Sequence, residues 1–215
     1  MEQILDHLGF VKMKKILIII LIFLIILLNF KLLVFNDKFY DKEFMKNNMD
    51  SNLLEENKEK LFDYFKGENL DTDFFNEKEK LHLVDVKNLI QKTFILLYIV
   101  LIVFVLLLFY LIYNKKYLVI GDSFIFSGII TMGFLIILSL FSFSSLFYKF
   151  HLLFFKNNLW LLDPLTDNLI KMFPEWFFYD FFKRLVLNSF FTSLFLIIIG
   201  GIIKYVCTQH KSSIV

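Results

Sequence analysis

Residues 149–180 read KFHLLFFKNNLWLLDPLTDNLIKMFPEWFFYD, and both prolines of the chain, Pro164 and Pro174, fall inside them. So do both tryptophans, Trp160 and Trp176, together with His151. Proline fixes its own φ and pushes the preceding residue out of the helical region, so Asp163 and Phe173 are expected to be extended. The stretch therefore cannot be one uninterrupted helix. It reads as a folded re-entrant or interfacial element held between two membrane spans.

The flanks carry the membrane signal. Residues 16–35 follow Lys12, Lys14 and Lys15 and form an apolar run longer than the 7–15 residues of a secretory signal, with no small-residue cleavage site after it. About 20 residues cross a hydrocarbon core, so this run is expected to be a retained span, with Lys31 snorkelling near its end. Residues 94–113 carry no charge, and Asn114-Lys115-Lys116 makes a short basic turn. The third run is placed at 118–148, with Asp122 near an interface and residues 124–148 as a tilted helix. The fourth is placed at 185–205, where Gly200-Gly201 offers a close helix contact.

Composition agrees. The chain is 58% hydrophobic and contains 30 phenylalanines, which suits lipid-facing and close-packed helices. Its formal charge of +2 and the lack of a basic run argue against nucleic acid. A single cysteine, Cys207, permits no internal disulfide, and seven glycines leave no room for a phosphate-cradling loop.

Lysine placement sets the expected orientation. The N-terminal segment, the Lys115-Lys116 turn and the tail with Lys204 and Lys211 share one side, the cytoplasm by the positive-inside rule. Residues 36–92 and 149–180 then face outward. The first of these loops holds 14 acids and 10 bases, net −4 by subtraction. The fold class is thus an all-α polytopic membrane protein, four transmembrane helices with a small, mainly helical extracellular cap over residues 36–92. Leu54, Leu61, Phe62 and Phe65 give the cap one apolar helical face, which Lys66-Gly67 should end. A second helix should start at Asn76, with Glu79 completing a capping box and His82, Val86, Leu89 and Thr93 on one face.

Chemistry has few candidates. His7 and His210 lie in the tails and read as solvated. His82 and His151 each sit where their segment enters the same membrane surface, so their imidazoles could meet there. The alternative is an interfacial polar residue for His82 and an interfacial anchor for His151. Asp85, one turn after His82, is positioned to orient that ring or favour its protonated form. Asp163, Asp167 and Glu175 could join the histidines around a metal, but their spacing fits no metal signature. Their structural reading is a residue before proline, a turn acid and a first-turn acid of a helix. Phe154, Phe155, Trp160, Phe173, Trp176, Phe177 and Phe178 read as an interfacial belt or a substrate pocket, and Asn158 fits either. A covalent nucleophile is missing: Cys207 lies about 30 Å of hydrocarbon away, and Ser142, Ser144 and Ser145 lack a nucleophile elbow. General acid–base catalysis is the more natural chemistry.

FNEKEKLHLVDVKNL (75–89) and FHLLFFKNNLWLLDPLTDNLIKMFPEWFF (150–178) resemble the two signature segments of the lipoprotein intramolecular transacylase family. The resemblance extends over the whole chain and includes the YFKG turn at 64–67. It implies a four-helix enzyme of the bacterial cytoplasmic membrane with an extracellular cap, and with the lysine placement, which puts both termini in the cytoplasm, an active site on the extracellular face. It also implies transfer of an acyl chain from the sn-2 ester of a lipoprotein's diacylglyceryl group to the α-amino group of its N-terminal cysteine, giving the lyso form. The family's two catalytic histidines fall on His82 and His151. Substrate-contacting residues are expected among Phe154, Phe155, Trp160, Asp85, Asn158, Asp163 and Glu175. Asn157-Asn158 stands where the family often has Gly or an Asp-like residue. Diacylglyceryl-modified lipoproteins and membrane lipid are the implied partners, and neither cofactor nor metal is implied. The competing classes are a non-enzymatic membrane adaptor and a carboxylate-based metal-dependent hydrolase.

Overall fold

The structure, a computed structural model, describes the backbone of residues 2–47 and 49–212, and side chains from Gly9 to Gln209 except residue 48. The side chains of His7, His210 and Lys211 lie outside the described residues. Among the described residues every regular element is helical: α1 (Glu2–Val34), α2 (Asp37–Phe44), α3 (Ser51–Lys66), α4 (Glu77–Tyr113), α5 (Tyr117–Ser139), α6 (Phe143–Phe154), α7 (Asn168–Met172) and α8 (Glu175–Ser212). Four of these, α1, α4, α5 and α8, contain stretches long and apolar enough to cross a membrane. The chain divides into two compact units. A bundle unit comprises residues 1–30, 96–140 and 185–215, and a signature unit comprises residues 31–95 and 141–184.

In the bundle unit, Leu17, Leu21, Leu111 and Ile120 form one buried cluster and Ile20, Leu24 and Leu97 another. The opposite faces present Ile19, Phe23, Ile102, Leu106, Phe109 and Ile129 outward, as helices bathed in lipid do. Helices α5 and α8 approach backbone to backbone. A Cβ on Gly200 would fall 2.6 Å from the Gly121 carbonyl oxygen, whereas Gly201 has open space around it. The expected glycine contact is therefore made by Gly200 alone of that pair, with Gly121 as its counterpart. Three buried hydroxyls bond on their own helices, Ser123 to Val119 O at 2.7 Å, Ser127 to Phe124 O at 3.0 Å and Ser193 to Ser189 O at 2.8 Å, whereas Thr131 Oγ1 and Ser189 Oγ are buried without a partner among the described atoms. Asn29 donates to Ile25 O at 2.7 Å and across to Thr192 Oγ1 at 3.1 Å. Asp122 bridges Lys14 and Lys204, each at 2.7 Å.

The third span differs from its expected form. Helix α5 stops at Ser139 and α6 starts at Phe143, so residues 124–148 are two helices. Ser139 bonds back to Leu135 O at 2.8 Å, and Ser142 adopts an extended backbone, φ −58 and ψ 128. Serines compete with the helical ladder, and hydropathy averaging passes over that. Helix α6 accordingly carries the chain into 149–180 as far as Phe154, and α8 begins at Glu175, ten residues before the expected span.

The signature unit is built on caps. Asn36 accepts from Phe39 N at 3.0 Å, and Asp50 accepts from Asn52 N at 2.8 Å and Leu53 N at 3.1 Å. Gly67 ends α3 at φ 133, a conformation that glycine reaches without a Cβ clash. Leu54, Leu61 and Phe62 are buried with Tyr40, Phe44, Phe75, Leu169, Met172 and Phe177, and Phe65 packs against them. Lys58 is 1% exposed and meets Glu55 at 2.6 Å and Asp41 at 3.0 Å, with Asp37 and Glu59 beyond. A buried ammonium persists only where carboxylates offset its lost hydration, which this ring does.

Candidate active site

The site lies in the signature unit. Asn76 and Glu79 form the reciprocal capping box: Asn76 N donates to Glu79 Oε2 at 2.7 Å, and Glu79 N to Asn76 Oδ1 at 3.0 Å. That cap starts α4 and puts His82 in its second turn. His151 comes from α6, whose own carbonyl at Phe147 lies 2.7 Å from His151 Nδ1. Both rings are buried, with 6% and 8% of their surface exposed. Their centroids are 6.4 Å apart at 32°. The structure thus brings together two imidazoles separated by 69 positions of sequence, 151 − 82.

Aromatic side chains wall the pair. Phe155, extended at the end of α6, stands 5.1 Å from His82 and 5.5 Å from His151. Trp160 stacks 4.9 Å from His151 at 32°, and Phe147 lies edge-on at 4.4 Å. Phe154 turns elsewhere, is about half exposed, and pairs with Phe150 at 4.8 Å. Of the three rings expected at the site, Phe155 and Trp160 are there.

The polar candidates divide. Asp85 does not orient His82 by a hydrogen bond: its Oδ2 accepts from Asn157 Nδ2 at 2.8 Å, and His82 Nδ1 is buried without a hydrogen-bond partner among the described atoms. Asn157, not Asn158, is the engaged asparagine. Its Oδ1 also accepts from Leu159 N at 3.0 Å and shapes the turn leading to Trp160. Asn158 is exposed and contributes a backbone carbonyl to Leu161 N at 3.2 Å. Asp163 accepts from Leu165 N at 2.9 Å, a turn role, and Glu175 accepts the Ser144 hydroxyl at the start of α8. Neither makes a hydrogen bond to either histidine among the described residues. No cluster of three or more His, Cys, Asp or Glu suited to a metal occurs among them either.

Asp167 plays its expected turn role, and with it comes a junction next to the site that sequence reading missed. Asp167, 5% exposed, accepts from Asp163 N at 2.8 Å and Asn76 Nδ2 at 2.9 Å. Glu79, 1% exposed, accepts from Leu169 N as well as closing its capping box. The two signature segments are therefore sewn together one turn before His82. The Asn76–Glu79 spacing announced half of this network, and nothing local announced Leu169.

Electrostatics favour a neutral His151. Burial lowers its pKa below the ordinary 6.5, and the Phe147 carbonyl pulls the other way without overcoming it. A carbonyl only accepts, so Nδ1 carries the proton and Nε2 holds a lone pair. Backbone donation holds the Asp167 carboxyl below the usual carboxylate range, most strongly through Asp163 N. A neutral, oriented imidazole facing a second one can take up a proton and return one.

The family model for lipoprotein intramolecular transacylase Lit matches residues 15–178. Among solved structures, the membrane integral lipoprotein intramolecular transacylase Lit from Bacillus cereus superposes with a TM-score of 0.81 at 23% identity, covering 96% of this chain and 99% of that one. A variant of the same protein with a histidine replaced by alanine gives 0.81 at 22%, covering 99% and 100%. No curated protein sequence matches. The chain belongs to the lipoprotein intramolecular transacylase family, an integral-membrane acyltransferase family.

Proposed function

We propose that this protein moves an acyl chain from the sn-2 ester of a lipoprotein's diacylglyceryl group to the α-amino group of its N-terminal cysteine, yielding the N-acylated, S-monoacylated lyso form. The observation that carries the reading is the pair of buried imidazoles 6.4 Å apart, with His151 Nδ1 held on a carbonyl. An α-ammonium ordinarily titrates near pH 8, at about 7.7–8.0, and must lose a proton before it attacks. His151 Nε2 is free to accept that proton. The amine nitrogen then bonds to the ester carbonyl carbon, and the carbon–oxygen bond to glycerol breaks as the tetrahedral intermediate collapses. As the nitrogen bonds to carbon it sheds its second proton, which His82 takes up and delivers to the departing glyceryl oxygen, while the first proton leaves His151 for water before the next turnover.

Donor and acceptor belong to one molecule, so confinement supplies much of the rate by orientation. Phe155 and Trp160 wall the reacting ester away from water, which would otherwise compete with the amine. Asp85 offers a carboxylate one turn from His82 that can attract the ammonium. Orientation is part of the proposal: the lysine-rich end of the bundle unit is cytoplasmic, and the signature unit faces outward in a bacterial cell membrane.

Mass spectrometry of lipoprotein N-termini from cells with and without the protein tests this. Expression is expected to convert diacylglyceryl N-termini to lyso forms carrying an N-acyl group. Unchanged N-termini in cells that contain folded protein would refute the assignment.

A further inference from the structure

We propose that one end of the bundle unit is a collar that binds anionic phospholipid headgroups. The described side chains of this unit include six lysines, at 12, 14, 15, 115, 116 and 204, against one carboxylate, Asp122. Residues 16–30, 96–112, 124–140 and 185–203 carry no charge, so all seven groups gather where α1, α4, α5 and α8 share one end. Among the described side chains the excess is five positive charges, six minus one; over the full sequence of the unit, which adds Glu2, Asp6 and Lys211, it is four, seven minus three.

Three lysines are engaged within the unit. Lys14 and Lys204 share Asp122 at 2.7 Å each, and Lys116 stands 3.8 Å over the Phe10 ring. Lys12, Lys15 and Lys115 are exposed and make no ion pair among the described residues. Lys115 is held in the left-handed region, φ 55, by the turn between α4 and α5, whose Lys116 N returns to Leu111 O at 2.8 Å. That turn is thus a fixed platform.

Phenols surround it. Tyr113 is 78% exposed and Tyr205 66%, with Tyr110 and Tyr117 also open. Tyrosine rings at a span end take the headgroup level of a bilayer, with the ring in the acyl boundary and the hydroxyl in the polar layer. Ammonium and phenol groups both donate to phosphodiester oxygens, and the excess positive charge selects a headgroup with net negative charge. The lipid-facing side chains directly adjoining, such as Ile112 and Ile202, would contact the acyl chains of the same molecule.

The test reconstitutes the full chain in nanodiscs of phosphatidylcholine, with or without about one-third phosphatidylglycerol, and follows thermal unfolding. Phosphatidylglycerol is expected to raise the melting temperature by about 5 °C. The shift should shrink as salt is raised from about 0.05 to about 0.5 M, because exposed charges are screened. Lys12→Gln/Lys15→Gln/Lys115→Gln should abolish the shift and the Arg triple variant should retain it. Soluble glycerol phosphate added to phosphatidylcholine discs should not reproduce it. An equal melting temperature in both lipids would overturn the proposal. So would a shift that ignores salt, or one that survives in a folded Gln variant.

Discussion

The bundle unit and the signature unit solve the same problem, satisfying polar groups among apolar ones, in opposite ways. In the bundle unit the buried hydroxyls of Ser123, Ser127 and Ser193 bond to carbonyls of their own helices, and the side-chain links between helices are few, Asn29 to Thr192 and Asp122 to Lys14 and Lys204. In the signature unit the partners are far apart in sequence: Asn76 reaches Asp167, Glu79 reaches Leu169, and Asn157 reaches Asp85. A helix that settles most of its own polar groups constrains its neighbours mainly through shape. A side-chain network that ties distant segments constrains geometry, which a two-histidine site needs and a span does not. Function-altering substitutions should therefore concentrate in the signature unit, and those that disturb packing without touching chemistry in the bundle.

The largest expected effect tests the first half of that contrast. His82→Ala or His151→Ala should cut turnover by about 10²–10⁴-fold while the melting temperature stays near that of the unsubstituted protein. The double variant should be scarcely slower than either single one, because the rings act as a unit. Additive losses in purified protein would mean that the rings work independently.

The second half predicts the converse. Gly200→Leu forces a side chain against the Gly121 carbonyl and should cost about 1–3 kcal/mol, read as a lowered unfolding temperature, with KM for the remaining folded enzyme unchanged. Gly201→Leu, in open space, should cost far less. Equal losses at the two positions would rule out the α5–α8 contact as a source of stability.

Much of the fold was legible because membrane helices and caps are written locally. The uncharged run 94–113, the Asn76–Glu79 box and the Leu54/Leu61/Phe62 face all stand where the chain pattern puts them. The break after Ser139 was not legible, because the serines there weaken a helix without lowering hydropathy. The site was half legible. Two histidines entering from different segments could be paired on paper, but the carbonyl that fixes the tautomer of His151 is backbone, and a sequence carries no mark of it. Asp85 was assigned to His82 from a one-turn spacing. Its partner, Asn157, is 72 positions away and could emerge only once the chain was folded.

Smaller effects sharpen the comparison. Glu79→Gln leaves one oxygen for two backbone donors, so it should cost about 1–3 kcal/mol and slow turnover together. For Asp167 the sign follows from a folded pKa below the unfolded value of about 3.9. Its stabilising contribution is complete above the unfolded value and is lost as pH falls through the lower, folded one. Asp167→Asn should therefore be less stable at pH 7 and lose less additional stability on acidification, checked by unfolding midpoints across the acid range. Asp50→Ala, which removes a cap distant from either histidine in hydrogen-bond terms, should cost about 1 kcal/mol and leave turnover unchanged.

The paired imidazoles are tested most directly by the conservative replacement His151→Gln, assayed by mass spectrometry of a purified diacylglyceryl lipopeptide. Glutamine can still donate to the Phe147 carbonyl, but it cannot accept the substrate's proton at neutral pH. A folded protein with no measurable lyso product is the predicted result. The unsubstituted enzyme should lose activity as pH drops below the ordinary imidazole range, because His151 must be neutral to act. Near-normal turnover by well-folded His151→Gln would contradict the central claim.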